Sequence, residues 1–275
     1  MVPVVLVTGC SAGGMGHAMC EEFAKRGCTV IATSRDVSTI GEFKNESNIR
    51  RLALDVGKDD QVVTVVREIV EQEGRIDILI NNAGLITPGP LIDQNIENVK
   101  HVFDVNVFGI WRMAKAVIPE MSKKHSGLIV NIGSVVGEIP TPWNGIYCAS
   151  KAAVLSLSEV MNMECRPLGI KVMHVAPGSV KSNIAKNAAT QFSLPPDSLY
   201  KKYLPNIIKR MHTSQTNRSM PAEVFARDIV SKALKKSPPS YTMAGGLVTL
   251  VAILKRLPRS LVLYLSWSMY SRDIK

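Results

Sequence analysis

The 275-residue sequence has no low-complexity tract, no internal repeat and no apolar run near the roughly 20 residues that cross a bilayer. A collagen-like, repeat or multi-span architecture is therefore excluded. Its five cysteines (Cys10, Cys20, Cys28, Cys148 and Cys165) form no CxxC pair or other metal-ligand spacing. An odd, scattered set argues against a disulfide framework and for a reducing compartment, and no metal site is expected. The apolar opening VPVVLV is shorter than the core of a secretory signal, and no basic residue precedes it. It is expected to be a buried first strand, and the protein is expected to be intracellular. Acidic residues are scarce at one end. Residues 181–275 hold four against 16 Lys and Arg, whereas residues 1–180 hold 19 against 17, so the net +10 arises in the last third. Such a field either draws an anionic partner (a phosphate-bearing substrate or an acidic membrane surface) or is a solvated surface. No nucleic-acid-binding motif accompanies it, so nucleic acid is not expected as a partner.

With 46% hydrophobic and 20% charged residues, the chain can build a sizeable core. Short β-rich runs recur at Val4–Val7, Thr29–Ala32, Ile49–Leu54, Ile76–Ile80, Leu128–Ile132 and Ile170–Val175. Helical segments at Gly16–Arg26, Asp59–Glu73, Val105–Met121 and Tyr147–Cys165 lie between them, and residues 221–236 form another behind Pro221. Strands alternating with helices predict an α/β fold with a parallel sheet covered on both faces. One domain is expected over 1–240, with 183–220 covering the substrate, followed by an apolar and basic extension over 241–275.

The stretch VTGCSAGGMG follows the first strand and opens a helix. A glycine-rich turn there lets backbone N–H groups approach a phosphate, and the helix N-terminus adds a favourable field. Ser34 ends the second strand where NAD-type sites carry an acid, and Arg35 follows, which favours a 2′-phosphate and hence NADP(H) over NAD(H). A shift of one residue would instead bring the Asp36 carboxylate into the site. Asp55, after the third strand, is placed to bind the adenine amino group, and the NNAG stretch ending at Gly84 lets backbone approach the adenine-side ribose.

Tyr147 and Lys151 stand four apart, so on a helix they share a face. An ammonium beside a phenol lowers the phenol's pKa from its usual value of about 10, which makes it a usable acid or base. Ser134, 13 residues upstream of Tyr147 and just after a strand, can hold a carbonyl oxygen, and Asn106 can order water behind the lysine.

The motifs TGCSAGGMG, NNAG, VNVFG, VNIGS, YCASK and PGSVKS strongly resemble, in order and spacing, those of the short-chain dehydrogenases/reductases over about residues 3–236. The resemblance implies a Rossmann-type three-layer sandwich with a doubly wound, mainly parallel, seven-stranded sheet, usually assembled as a homodimer or homotetramer. It implies catalytic roles for Asn106, Ser134, Tyr147 and Lys151, with Tyr147 as acid/base. It implies cofactor contacts from Gly9, Ser11, Gly14, Met15, Gly16, Ser34, Arg35, Asp55, Val56, Asn82, Ala83, Gly84, Tyr147, Lys151, Pro177, Gly178, Val180 and Ser182, the backbone of Val180 and the hydroxyl of Ser182 holding the nicotinamide carboxamide. Three features depart from the family pattern: four residues rather than three separate Gly9 from Gly14, Ser182 stands for the usual threonine, and PPSYTMAGGLVTL blurs the last strand.

Within the family, the likeness is to the group containing NADPH-dependent 1-acyldihydroxyacetone-phosphate reductases. The 17β-hydroxysteroid dehydrogenases and related steroid, retinoid or terpenoid enzymes form the alternative. A redox-sensing NADP(H)-binding protein is a remote third reading, which the intact Asn–Ser–Tyr–Lys set opposes. The apolar runs Ala244–Leu254 and Ser260–Trp267, separated by Pro258 and basic residues, suit either an interfacial hairpin on a membrane or lipid-droplet surface or a lid packed on the core. Lys186, Lys201, Lys202, Lys209, Arg210 and Arg218 are candidate partners for a substrate phosphate, and Ile139 and Trp143 are candidates for an apolar pocket wall.

Overall fold

The computed structural model describes residues 2–44, 46–184, 190 and 192–271. Its centre is β1 (Val4–Thr8), every residue of which is buried. Val5 and Val7 face a core layer with Phe23 and Phe225, whereas Val4 and Leu6 face a second layer with Ile69 and Met113. Successive strand residues point to opposite faces, so a strand covered on both sides must be apolar throughout. Beside β1 lie β2 (Thr29–Ser34), β3 (Ile49–Ala53), β4 (Ile78–Asn81), β5 (Gly127–Ile132), β6 (Ile170–Pro177) and β7 (Tyr241–Ala244). The order is β3-β2-β1-β4-β5-β6-β7 and every pairing is parallel. The blurred seventh strand exists: His174 pairs with Tyr241 and Pro177 with Ala244. The sheet therefore draws its last strand from beyond residue 240, the boundary expected for the catalytic domain.

Helices α1 (Met15–Lys25), α2 (Asp59–Glu73), α3 (Ile96–Phe103), α4 (Gly109–Ser122) and α5 (Gly145–Cys165) cover the first half of the chain. α6 (Leu204–Met211), α7 (Ala222–Ala233), α8 (Val248–Leu254) and α9 (Arg259–Ser271) follow. The limits of α2 coincide with those read from the sequence: Asp59 and Asp60 occupy its first turn, favourable beside the helix dipole, and Gly74 ends it at φ 72°. The helix expected over Val105–Met121 is instead a π-helical turn, Asp104–Phe108, running into α4. Pro258 separates α8 from α9, as a residue without an N–H should. Among the described residues, no helix is long and apolar enough to cross a membrane.

α7 packs on α1 through Phe225, which is fully buried. Phe225→Ala should cost about 3–5 kcal/mol in urea unfolding, whereas Phe108→Ala, half exposed, should stay within about 0.5 kcal/mol.

Candidate active site

All seven strands run the same way, so their C-terminal ends share one edge of the sheet, where open α/β folds bind ligands. At β1 the chain turns sharply: the Gly14 N–H donates to the Ser11 carbonyl at 3.1 Å and Gly13 sits at φ 73°. Gly9 at φ 71° and Gly13 both take a left-handed conformation that residues with a Cβ rarely adopt. Gly14 then begins α1 with no side-chain cap and no acidic residue in the first turn, so the first N–H groups of the helix face the cleft without a competing carboxylate. The approach is close. A Cβ on Gly16 would lie 2.5 Å from the Gly9 carbonyl oxygen, and one on Gly9 would lie 2.7 Å from Ala83 Cα. Asn82 ties the ends of β4 and β1 together, its Nδ2 donating to the carbonyls of Thr8 and Gly9 at 2.9 Å each.

At the end of β2, Ser34 is buried and Arg35 exposed. The Ser34 hydroxyl lies 2.9 Å from Thr39 Oγ1, and Ser11 Oγ is 3.1 Å from the same atom. Asp36, the alternative ribose ligand, accepts from the N–H and hydroxyl of Ser38 at 2.9 and 2.6 Å, and these bonds lower its pKa. Its carboxylate is thus committed to its own turn. Asp55 accepts from the Gly57 N–H at 2.9 Å, and Val56 is buried beside Gly109. Gly84 leaves open the space next to Lys151 Nζ and Asn106 Oδ1: a Cβ there would lie 3.7 and 3.4 Å from them. A bare helix N-terminus, a close-approach glycine turn and a donor-rich strand edge fit a dinucleotide.

Ser134, Tyr147 and Lys151 meet at the end of β5. Lys151 is 4% exposed, its ammonium donates to the Ile132 carbonyl at 2.8 Å, and it stands 5.6 Å from the Tyr147 ring centroid. The Ser134 hydroxyl donates to the Pro177 carbonyl at 3.5 Å, receives the Val136 N–H at 3.3 Å and is close enough to Tyr147 to favour its ionised form. Asn106, in the π turn, exchanges two bonds with Leu85: its Oδ1 accepts from the Leu85 N–H at 2.7 Å and its Nδ2 donates to the Leu85 carbonyl at 2.9 Å. Nδ2 also reaches Ser150 Oγ at 3.0 Å. Both donor hydrogens of the amide are taken by protein.

The expected lowering of the Tyr147 pKa is reversed. Burial pushes the phenol up to about 12, against the opposing pull of Ser134 and Arg210, and brings Lys151 down to about 8. Desolvation penalises whichever form is charged, and it is the largest influence on both groups.

A cavity of about 560 Å³ opens from these residues, bordered by Met15, Asn82, Gly178, Val180 and Ser182 on the cofactor side. Ile139 and Trp143 line its apolar wall. The cover comes from two segments. Part of the expected 183–220 region contributes, and so does the C-terminal hairpin, through Leu250 and Leu254 on α8 and Leu265 and Met269 on α9. The hairpin thus packs inward over the site while Ile253, Tyr264 and Trp267 stay exposed on it. Sequence reading left the choice between an interfacial hairpin and a packed lid open, because an apolar run in a helix does not say which face is covered. Of the candidate phosphate-binding cations only Arg210 borders the cavity; Lys201, Lys202, Lys209 and Arg218 are exposed elsewhere, and Lys186 lies outside the described residues. Asn183, which sequence reading did not single out, donates to the Ala12 carbonyl at 2.8 Å and so ties the covering segment to the glycine turn.

Removing the Asn82 amide leaves two strand-end carbonyls without their donor. Asn82→Ala should therefore lose about 1–3 kcal/mol in urea unfolding.

Residues 3–192 match the family model described as short chain dehydrogenase. The chain is 36% identical over 244 residues to a short-chain dehydrogenase, srdE, of Neurospora crassa, covering 87% of this chain and 82% of that one. It is 36% identical over 209 residues to an NADPH-dependent 1-acyldihydroxyacetone phosphate reductase of Schizosaccharomyces pombe, covering 74% and 70%. A crystal structure of a short-chain dehydrogenase from Streptomyces avermitilis superposes with a TM-score of 0.80 at 27% identity, over 99% of this chain and 98% of that one. Family model, fold and site geometry agree: the chain belongs to the short-chain dehydrogenase family and is an oxidoreductase.

Proposed function

We propose that the protein interconverts a carbonyl and a secondary alcohol on a lipophilic substrate, with NADP(H) as cofactor and Tyr147 as the proton donor or acceptor. The observation that carries this reading is the convergence of Ser134, Tyr147 and Lys151 in the lining of a largely apolar cavity. The nicotinamide, when bound, supplies or removes hydride at the substrate carbon. Ser134 holds the substrate oxygen and Tyr147 gives it a proton. Lys151, pinned by Ile132, keeps a positive charge beside the phenol as it loses that proton. Asn106 fixes the π turn against Leu85 and so fixes the wall behind Lys151. The largely apolar lining lowers the local dielectric, which strengthens each of these interactions.

The exposed Arg35, the buried hydroxyl of Ser34 and the diversion of Asp36 onto Ser38 support a 2′-phosphate site. The resemblance of the chain to the Schizosaccharomyces reductase and the breadth of the apolar wall support an acyl-dihydroxyacetone-phosphate-like ketone. A steroid, retinoid or terpenoid carbonyl is the second reading, favoured by the aromatic rings of Trp143 and Tyr270 that border the cavity.

Tyr147→Phe should lower kcat by about 10²- to 10⁴-fold, followed as NADPH absorbance against a panel of acyl-dihydroxyacetone phosphates, ketosteroids and retinal. Near-wild-type turnover would exclude the proposed role. The pH profile has a defined sign. Tyr147 stays protonated up to about 12 and Lys151 stays charged only below about 8, so kcat/KM for carbonyl reduction should be level below pH 8 and fall above it. Arg35→Ala should raise KM for NADPH at least about tenfold and leave NADH nearly unchanged; equal losses would count against the 2′-phosphate site.

A further inference from the structure

Among the described residues, Arg210 is the one cation bordering the cavity that the proposed proton chemistry leaves unused. It lies in the last turn of α6 and its guanidinium is held from two sides. Nε donates to Thr141 Oγ1 at 2.8 Å, and the guanidinium carbon sits 5.4 Å from the Tyr270 ring centroid. Thr141 belongs to the loop between Ser134 and α5, and Tyr270 to α9, so the group is fixed by both walls of the pocket. Its two terminal nitrogens have no hydrogen-bond or ion-pair partner among the described residues, and no carboxylate lines the cavity there. The nearest acid on that loop, Glu138, is turned away to Lys255 and Tyr241. An oriented guanidinium without a counter-charge, in a largely apolar cavity, is expensive to maintain unless a ligand neutralises it. The field of Arg210 also reaches Tyr147 and Cys148, where it works against the effect of burial.

We propose that Arg210 is the anion-binding residue of the substrate site, and that the substrate is a lipid ketone carrying a phosphate or carboxylate a few bonds from the reacting carbonyl. The short reach follows because both groups border the same cavity and the charge of Arg210 acts on the Tyr147 phenol. The remaining cavity, lined by Leu250, Leu254, Leu265 and Met269, takes the apolar tail. A guanidinium presents paired N–H groups that match either oxyanion, so both chemistries fit the geometry. The inference rests on the reading of this cavity as the substrate site.

The test is equilibrium binding, which needs no turnover. The full chain, saturated with NADPH so that an alcohol cannot be oxidised, is titrated with three lipids of the same acyl chain: 1-oleoyl lysophosphatidate, oleate and monoolein, each below its critical micelle concentration. Tryptophan fluorescence is the readout, since Trp143 lines the cavity and Trp267 lies 5.7 Å from it. Lysophosphatidate should bind at least about tenfold more tightly than neutral monoolein, as expected for a charge-assisted pair. Arg210→Met should abolish that difference and Arg210→Lys should retain part of it. Thr141→Val, which removes the Nε acceptor but keeps the charge, should retain most of it. Oleate binding as tightly as lysophosphatidate identifies a carboxylate site, and oleate binding like monoolein identifies a phosphate site. Equal wild-type affinity for the charged and neutral lipids overturns the proposal. So does an Arg210→Met variant that loses all three lipids together, because the guanidinium is then only a strut between Thr141 and Tyr270. The redox reading has a separate fate: a neutral lipophilic ketone reduced by the wild type and not by Tyr147→Phe upholds it whatever Arg210 binds.

Discussion

The buried ammonium of Lys151 constrains everything around it. A charge that is 4% exposed is costly, and a single bond to the Ile132 carbonyl compensates it only if α5 sits at one register on the sheet. A polar stripe enforces that register. Asn81 Nδ2 donates to Asn131 Oδ1 at 2.9 Å, Asn131 Nδ2 donates to Ser158 Oγ at 3.0 Å, and Ser158 lies 3.2 Å from His174 Nδ1. The chain of contacts crosses β4, β5, α5 and β6. Burial foremost, and the charge of Lys151 next, bring the His174 pKa down to about 4, so this stripe adds no second cation beside the first. With α5 locked, Tyr147 lies one turn before Lys151 and within reach of Ser134.

Burial then sets the protonation of the site in the ligand-free chain. It raises the phenol and lowers the ammonium, so both effects favour neutral groups. The protein thereby keeps Tyr147 as an intact acid across the neutral range while Lys151 remains charged up to about pH 8. The expectation of a lowered Tyr147 pKa considered only the attraction between ammonium and phenolate and omitted the cost of removing both groups from water.

The cover of the cavity is fastened to the loop that carries Ser134. Glu138 on that loop pairs with Lys255 and accepts from the Tyr241 hydroxyl, and its carbonyl accepts from Arg259 at 2.7 Å. Farther along, Ser266 donates to the Pro140 carbonyl at 2.9 Å, and Trp143 Nε1 donates to the Tyr270 carbonyl at 3.0 Å. Part of the basic excess of the last third thus serves to hold the hairpin down. The choice between an interfacial hairpin and a packed lid was posed too sharply: one face of α8 and α9 lines the cavity and the other is exposed.

By itself the sequence determined the alternation of strands and helices, because a strand buried on both faces must be a continuous apolar run and a surface helix must not. It also determined the glycine turn and the Tyr147–Lys151 spacing, both set by backbone geometry within a few residues. Other features depend on contacts distant in sequence and were decided only by the tertiary structure. These include the parallel pairing of Tyr241–Ala244 with β6, the diversion of Asp36, the inward face of α8 and α9, and the singling out of Arg210 from its neighbouring cations. The direction of the Tyr147 and Lys151 shifts belongs with them, since the extent of desolvation is a property of the assembled core and not of the residues four apart.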